Sequence, residues 1–192
     1  MEFYTAAHLK LRESIHQQGL DGVLVTDLAN VRRLCGFTGS NGALLFTKDD
    51  AIFLTDSRYK TQALSETSDV EVREGGGKKL PYGALVKDLG LKRVGYEGDD
   101  LRCSAYRALK EEASGVEFSD LGPAISRIRE CKTPNEIGKM RAASLLAEEA
   151  LSEVKNLFVA GVTEFEVAKA FQVAVINRGA RLAFDVIVAG GP

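Results

Sequence analysis

The chain has 192 residues, of which 45% are hydrophobic and 27% charged, with a formal net charge of −2. This composition is that of a globular protein and excludes an extensively disordered chain. Because lysines and arginines are scattered and nearly balanced by acidic residues, charge gives no reason to expect nucleic acid or an anionic membrane as a partner.

The N-terminal segment has no basic stretch followed by an apolar run and a cleavage site, and no later stretch is long enough to cross a membrane. We therefore expect a cytoplasmic protein. The three cysteines, Cys35, Cys103 and Cys131, are an odd number at wide spacings. That pattern fits neither a disulfide framework nor a CxxC pair of zinc-binding cysteines, so we predict that all three are reduced thiols.

The first helix is predicted over residues 5–18, capped by Thr5 and ended by Gly19. Its apolar stripe consists of Ala7, Leu11 and Ile15. A short strand at 22–26, a brief helix at 27–34 and a glycine-containing loop at 36–42 follow.

Two apolar runs, 43–47 and 51–55, are separated by a short polar turn, which predicts a buried hairpin. Further helices are predicted at 57–65, 81–89 and 104–113, and further strands at 69–73, 92–97 and 116–119. This alternation indicates an α/β domain with a mixed sheet and helices on both faces, ending near residue 131.

A capping box, Thr133 followed three residues later by Glu136, marks the start of a second domain at 132–192. The long helix after it carries an apolar stripe of Ile137, Met140, Ser144, Ala147, Leu151, Val154 and Phe158. A second capping box at Thr163 opens a helix that ends near Gly179 and has Val167, Ala170, Phe171, Ala174 and Val175 facing inward. The pattern at 182–188 predicts a central strand with no sheet to join, so we expect this α+β domain to be incomplete. The apolar stripe of its long helix should then be exposed, which predicts that the chain self-associates or that this segment swaps between chains.

Common catalytic and nucleotide-binding motifs are missing, including a Walker loop, a dinucleotide fingerprint, a zinc HExxH and a nucleophile elbow. The glycine-rich run at 75–79 lacks the Gly-Lys-Ser/Thr ending of a phosphate-binding loop, so we predict a flexible loop there. His8 and His16 lie eight residues apart, which is the wrong spacing for a shared zinc ion, and both are predicted to be at the surface.

Several segments occur in an order that resembles one family. They are GLDGVLVT at 19–26, NVRRLCGFTGSNG at 30–42, LTDSRY at 54–59, VGYEG at 94–98, SRIRECKTPNEI at 126–137, GVTE at 161–164 and FDVIVAG at 184–190. Together they resemble the creatinase/prolidase-type metallopeptidases, and the Xaa-Pro aminopeptidases and dipeptidases in particular.

The resemblance implies a creatinase/prolidase N-terminal domain at 1–131 and the truncated start of a pita-bread metallopeptidase domain at 132–192. In that family, two divalent ions, often manganese, are held by two Asp, one His and two Glu that follow the segment at 184–190. Asp185 is not one of these ligands. We therefore expect no metal and no catalytic residue in this chain, and predict that it is inactive by itself, whereas the complete protein would hold two metal ions and cut before proline.

The resemblance also suggests a binding role for four residues. In the family, the N-terminal domain of one subunit approaches the catalytic cleft of its neighbour, which makes Phe37, Asp56, Arg58 and Tyr59 candidate substrate-side groups and implies a homodimer or higher homo-oligomer. A purely structural interpretation stays open: Asp56 or Ser57 caps the next helix and Arg58 pairs with a nearby carboxylate. The glycines at 36, 39 and 42 are predicted to serve positive-φ turns.

The sequence thus favours the N-terminal part of a proline-specific metallo-aminopeptidase acting on peptides. A creatinase-like amidinohydrolase shares the architecture and is one alternative. A non-catalytic peptide-binding or assembly module is the other, because relatives that have lost their ligands bind peptides or histones.

Overall fold

The computed structural model describes residues 2–77 and 79–190. The chain divides into two compact units, Met1–Cys131 and Lys132–Pro192. Each is described separately below.

The first unit is built on a six-stranded mixed sheet with the order β4-β3-β2-β1-β5-β6. The strands are β1 (Gly22–Val25), β2 (Gly42–Thr47), β3 (Ala51–Thr55), β4 (Glu71–Glu74), β5 (Arg93–Tyr96) and β6 (Glu117–Asp120). The pairs β1/β2 and β2/β3 are antiparallel, whereas β1/β5, β5/β6 and β3/β4 are parallel. Every residue of the central strands β1, β2 and β3 is buried, as expected for strands covered on both faces.

Helices cover the two faces of this sheet. They are α1 (Glu2–Gln17), α2 (Leu28–Cys35), α3 (Lys60–Glu66), α4 (Tyr82–Asp88), α5 (Cys103–Glu112) and α6 (Pro123–Ser126), the last followed by a 3-10 turn at Arg127–Arg129. Residues of α1, α2, α3 and α6 form one hydrophobic core with one face of the sheet, and residues of α4 and α5 form a second core with the other. The predicted α/β fold with a mixed sheet between two helical layers is confirmed.

The first helix differs from the prediction at its start and agrees at its end. It begins at Glu2, so Thr5 lies inside it and is not its cap. Gly19 adopts a φ of +62° and donates its backbone N–H to the His16 carbonyl at 3.0 Å, which ends the helix as expected. The predicted stripe of Ala7, Leu11 and Ile15 is buried.

His8 is buried, contrary to the prediction of a surface position. Its ring is 6% exposed, lies edge-on to Phe46 with the ring centroids 4.8 Å apart, and its Nε2 is 2.6 Å from the Leu34 carbonyl oxygen. His8 lies three residues before Leu11, on the helix face that packs on the sheet. Burial lowers the pKa of His8 below its ordinary value of 6.5, although the bond to Leu34 opposes this.

We expect His8 to make the stability of the first unit depend on pH. Since its pKa is lower in the folded chain than in the unfolded chain, its contribution is complete above about pH 6.5 and is lost as the pH falls through the folded pKa. Urea unfolding of His8→Gln should show a weaker loss of stability between pH 6.5 and 5 than the unmodified chain. His16→Gln, which changes an exposed histidine of the same helix, is the control, and an equal pH dependence in both variants would contradict the expectation.

The second unit contains α7 (Pro134–Val154), a 3-10 turn at Lys155–Leu157, and α8 (Glu164–Asn177). Both predicted capping boxes are confirmed: Thr133 and Glu136 exchange hydrogen bonds at the start of α7, and Thr163 and Glu166 do so at the start of α8. Each box satisfies backbone N–H groups that the helix leaves without partners. Of the predicted inward residues of α8, Val167, Ala174 and Val175 are buried.

The predicted apolar stripe of α7 is not its packed face. Ile137, Met140 and Leu151 are 38%, 57% and 49% exposed, and of the stripe only Val154 is buried. The face that packs on α8 is rotated toward Ala150 and Val154, with Leu146 partly buried beside them. The exposure of the stripe was expected, and the identity of the packed face was not.

Residues 182–188 are not a strand, which corrects the prediction. Phe184 is 81% and Ile187 87% exposed. A strand requires a neighbour for its backbone N–H and C=O groups, and no strand of the described residues pairs with this segment.

The three cysteines are free, as predicted, with Cys35 buried and the other two exposed. Burial raises the pKa of the Cys35 thiol to about 11, so it stays protonated and is a poor nucleophile near neutral pH. Among the described residues, no helix combines the length and the apolar character needed to span a membrane.

Candidate functional site

The candidate site lies at one end of the β2/β3 hairpin. Gly42, the first residue of β2, pairs with Thr55, the last residue of β3. The loop before β2 and the segment after β3 therefore leave the sheet side by side. Thr55 Oγ1 donates to the Asn41 carbonyl at 2.6 Å, which joins the two segments at their base.

Asp56 is the buried centre of this cluster, with 1% of its surface exposed. Its Oδ1 accepts hydrogen bonds from the backbone N–H and Nε of Arg58 at 3.0 and 2.9 Å. Its Oδ2 accepts from Arg58 Nη2 at 2.8 Å and from Asn41 Nδ2 at 2.5 Å. The guanidinium of Arg58, followed by the Asn41 amide, holds the pKa of Asp56 far below its usual range, so this carboxylate stays ionised and is a poor general base near neutral pH.

Arg58 and Tyr59 form the exposed part of the cluster. The Arg58 side chain is 52% exposed although two of its nitrogens bind Asp56, and its guanidinium carbon lies 5.2 Å from the centre of the Tyr59 ring. The Tyr59 hydroxyl lies 2.6 Å from Ser40 Oγ. A bidentate ion pair and a cation–π contact together keep Arg58 in one orientation at the surface.

Phe37 lies on the buried side of the cluster and packs against it. It is 1% exposed and packs between Phe53 of β3, at 4.6 Å between ring centroids, and Tyr59, at 5.7 Å and nearly perpendicular. Thr38 beside it donates its backbone N–H to Glu66 of α3 at 2.8 Å. The loop is thus held against both the sheet and the following helix.

The structure brings the four predicted residues, Phe37, Asp56, Arg58 and Tyr59, into one cluster. The purely structural interpretation of these residues made two predictions. The first, that Arg58 pairs with a nearby carboxylate, is confirmed, and the carboxylate is that of Asp56. The second, that Asp56 or Ser57 caps the next helix, is wrong, because α3 begins at Lys60, after Tyr59, and has no side-chain cap.

Sequence reasoning missed Ser40 and Asn41 as members of the cluster. The signal was present in the predicted hairpin, because its register places the residue before β2 next to the residue after β3.

Glycine is required in this loop for two different physical reasons, a positive φ at one position and lack of space for a Cβ at two others. Gly36 adopts a φ of +89° as the C-cap of α2, as predicted. Gly39 and Gly42 do not have positive φ values, which corrects the prediction. A Cβ at Gly39 would lie 2.3 Å from Phe37 Cζ and 2.8 Å from Tyr59 Cδ1, and one at Gly42 would lie 2.4 Å from Phe53 Cζ, so these two positions need glycine for space.

Replacing Gly39 by alanine is expected to destabilise the first unit by about 1–3 kcal/mol, because the added methyl group forces Phe37 or Tyr59 to move. Urea unfolding followed by tyrosine fluorescence measures this, since all tyrosines lie before residue 107 and there is no tryptophan. The control is Gly76→Ala, where an added Cβ meets nothing within 4 Å. Equal stability of the two variants would contradict the steric argument.

A second polar cluster surrounds Glu97, which is 3% exposed at the end of β5. Its carboxylate accepts the backbone N–H groups of Thr26 and Asp27 at 2.6 and 2.7 Å and the Asn30 amide at 2.5 Å. Asn30 Oδ1 in turn accepts from Arg129 Nε at 2.5 Å. Burial raises the pKa of Glu97, and these hydrogen bonds oppose the shift. The cluster ties the start of α2 to the end of the first unit.

Neither cluster offers a metal site. Among the side chains that the structure describes, no group of three or more His, Cys, Asp and Glu is arranged to hold a metal ion. The Asp56 carboxylate is already occupied by Arg58 and Asn41. The ligands that the family resemblance implies would follow the segment at 184–190, so the resemblance assigns none of them to either cluster.

The first unit is thus a mixed-sheet α/β domain with a preorganised polar cluster at one end of its β2/β3 hairpin. Residues 8–131 match the creatinase/prolidase N-terminal domain family. The chain belongs to this family, and the resemblance given by the ordered sequence segments is confirmed.

Named relatives extend the similarity through the second unit. The uncharacterized peptidase YqhT of Bacillus subtilis (strain 168) is 33% identical over 184 residues, covering 95% of this chain and 52% of YqhT. The Xaa-Pro dipeptidase from Bacillus anthracis superposes with a TM-score of 0.85 and 30% identity over 91% of this chain and 49% of its own. The chain therefore spans about half the length of these peptidases.

Several solved structures match the first unit on its own. One of them is the N-terminal domain of the cytoplasmic peptidase PepQ from Mycobacterium tuberculosis H37Rv, with a TM-score of 0.59, 34% identity, and coverage of 65% of this chain and 98% of that domain.

Proposed function

We propose that the chain is the N-terminal part of a cytoplasmic, proline-specific metallo-aminopeptidase that releases the residue before proline, and that the 192 residues alone are inactive. The observation that carries the proposal is the superposition of 91% of the chain on 49% of the B. anthracis Xaa-Pro dipeptidase. The proposal places the metal ligands in the part of such peptidases that this chain does not span, which is about half of the B. anthracis relative.

The exposed face of the second unit supports this assignment. Met140, Leu151 and Phe158 are each about half exposed, at 57%, 49% and 55%, and Phe184 is 81% exposed. Apolar residues in such density usually contact another part of a protein. In the proposed complete protein, residues 132–192 begin the pita-bread domain, and its sheet covers this face.

The cluster at Asp56 is proposed as the substrate-side surface of a homo-oligomer. Arg58 and Tyr59 present a fixed cation and an aromatic edge, whereas Asp56 and Phe37 hold them in place from the interior. A neighbouring subunit's cleft would then receive Arg58 and Tyr59 as groups that contact the peptide and take no part in proton transfer.

The first test is peptide hydrolysis by the 192-residue chain with added manganese and an Xaa-Pro peptide, beside a metal assay of the purified protein. We expect no turnover and no stoichiometric metal. Metal-dependent turnover would overturn the proposal, because it requires ligands among residues assigned here to structure.

The coding sequence beyond residue 192 provides the complementary test. We expect it to encode two Asp, one His and two Glu at metal-ligand positions, and the longer protein to hydrolyse an Xaa-Pro peptide. Hydrolysis of creatine instead would support the amidinohydrolase alternative. A longer chain without the ligands would support a peptide-binding module.

In that longer enzyme, Arg58→Ala is expected to raise KM for an Xaa-Pro peptide about tenfold with little change in kcat, since Arg58 is assigned to binding. Steady-state kinetics measures both constants. Lys60→Ala is the control, because Lys60 is an exposed cation two residues away that pairs with Glu74 at 3.0 Å. A loss confined to kcat in Arg58→Ala would contradict the binding role.

A further inference from the structure

An open cavity of about 570 Å³ lies at the β6 edge of the sheet in the first unit. Its walls are formed by α5 and by Tyr96 and Asp120, the last residues of β5 and β6. These two strands are parallel, and α/β sheets commonly bind ligands outside the carboxyl ends of their strands. The volume is in the range of small-ligand pockets. No residue of the Asp56 cluster lines this cavity.

Two tyrosines form an aromatic wall of the cavity. Tyr96 of β5 and Tyr106 of α5 stack with their ring centroids 4.8 Å apart and their planes 27° from parallel. Phe118 of β6 lies nearly perpendicular to Tyr106, with the centroids 6.4 Å apart. Both tyrosines are half-buried, so their exposed parts offer a flat apolar surface to the cavity. Planar rings pack favourably on such a surface.

The helix places two cations beside this wall. Arg107 and Lys110 line the cavity, and Lys110 Nζ lies 5.8 Å from the centre of the Tyr106 ring. Glu111 also lines the cavity, four positions after Arg107, a spacing at which opposite charges often pair on a helix. Within the parts of the chain that the structure describes, neither cation forms an ion pair. Both therefore remain available to an anion.

Asp120 supplies a hydrogen-bond acceptor on the Tyr96 side of the wall. The two residues are partners in the β5/β6 ladder, and the pKa of Tyr96 is raised mainly by burial, with the Asp120 carboxylate adding to the shift. Asp120 Oδ1 accepts the backbone N–H groups of Gly98 at 3.0 Å and Gly122 at 2.7 Å, which fixes the carboxylate. Among the described residues, none donates a hydrogen bond to its Oδ2. This oxygen is therefore available to a hydroxyl group.

We propose that this cavity binds a small phenolic carboxylate. The aromatic ring of the ligand packs on Tyr96 and Tyr106. Its carboxylate binds Arg107 and Lys110 by charge-assisted hydrogen bonds, which the Arg107 guanidinium can make in pairs. Its hydroxyl group donates to Asp120 Oδ2. The inference concerns binding alone and does not depend on the proposed hydrolase function.

The test is an NMR titration of the isotope-labelled 192-residue chain with para-hydroxybenzoate. The Gly98 amide, which donates to Asp120, and the amides of residues 103–111 should shift saturably. Three analogues each lack one group: benzoate lacks the hydroxyl, methyl para-hydroxybenzoate lacks the charge, and hydroxycyclohexanecarboxylate lacks the aromatic ring. Each should bind at least about fivefold more weakly, since each loses one contact.

Two variants assign the two ends of the ligand. Arg107→Gln should weaken binding of para-hydroxybenzoate about tenfold and leave binding of its methyl ester unaffected. Asp120→Asn keeps an acceptor for the Gly98 and Gly122 amides but replaces the second carboxylate oxygen by a donor. It should weaken binding of para-hydroxybenzoate about tenfold and leave binding of benzoate unaffected.

Two further variants serve as matched controls. Arg102→Gln and Asp99→Asn make the same charge changes at exposed positions that do not line this cavity, and should bind all four ligands as the unmodified chain does. Arg107 and Asp120 are also exposed, so their variants should fold, which thermal unfolding checks. The ligand series tests the proposal without any variant. Absence of saturable shifts, equal affinity for the four ligands, or shifts confined to residues that do not line the cavity would each overturn the proposal.

Discussion

Replacing Phe37 by alanine is expected to lower the free energy of unfolding of the first unit by about 3–5 kcal/mol, the usual cost of truncating a fully buried phenylalanine. Phe37 is 1% exposed and contacts the rings of Phe53 and Tyr59 at 4.6 and 5.7 Å. The substitution removes both ring contacts and leaves a cavity beneath the Asp56 cluster. Urea unfolding followed by tyrosine fluorescence measures the change.

The control for Phe37→Ala is Leu64→Ala, which truncates a side chain that is 64% exposed on α3. That substitution should change the stability by no more than about 0.5 kcal/mol. Tyr59 fluorescence offers a second observable, because loss of Phe37 should also free the tyrosine ring. A stability loss in Phe37→Ala as small as that of the control would show that the loop does not depend on this ring.

Replacing Glu97 by alanine is expected to cost about 2–4 kcal/mol, because three donors lose their buried acceptor at once. The backbone N–H groups of Thr26 and Asp27 and the amide of Asn30 all point at this carboxylate. Asn30 would also lose one of the two contacts that set its orientation, the other being its bond from Arg129. The same urea titration reports the loss.

Glu97→Gln separates the charge from the shape of the side chain. The glutamine amide can satisfy Asn30 only if the Asn30 amide turns. Arg129 Nε then loses its acceptor, although Nη2 keeps Asp27, so this variant should also be less stable than the unmodified chain. Glu117→Ala, at an exposed position on the edge strand β6, is the control and should be neutral within about 0.5 kcal/mol. Neutral behaviour of both Glu97 variants would mean that water replaces the carboxylate.

Much of the candidate site could be derived from local sequence signals. The apolar runs on either side of residues 48–50 predict the hairpin, and a hairpin brings the ends of its two strands together. Asp56, Arg58 and Tyr59 follow one strand, and Phe37 precedes the other, so their proximity is a consequence of the predicted register. Asn41 was missed although the same register places it beside Asp56.

Other features were mispredicted because they depend on distant partners. His8 was assigned to the surface after its spacing from His16 excluded a shared zinc ion, but α1 packs that face on the sheet. Residues 182–188 have the composition of a strand, yet composition cannot supply the neighbouring strand that a ladder needs. The stripe of α7 fitted helical spacing, but α8 contacts a different face of the helix.

The sequence by itself determined the order of the six strands and of helices α1 to α5 in the first unit, both capping boxes of the second, and the family. The elements and the capping boxes depend on periodicity and turn residues close together in the chain, and the family on the order of short motifs along it. Only the tertiary structure decided that Glu97, Asn30 and Arg129 meet, although Asn30 lies 67 positions from Glu97 and 99 from Arg129 in the chain, and that α5 lines a cavity. The reason is physical: local patterns reflect the backbone and nearest turns, whereas burial, hydrogen-bond partners and pKa depend on which surfaces pack together.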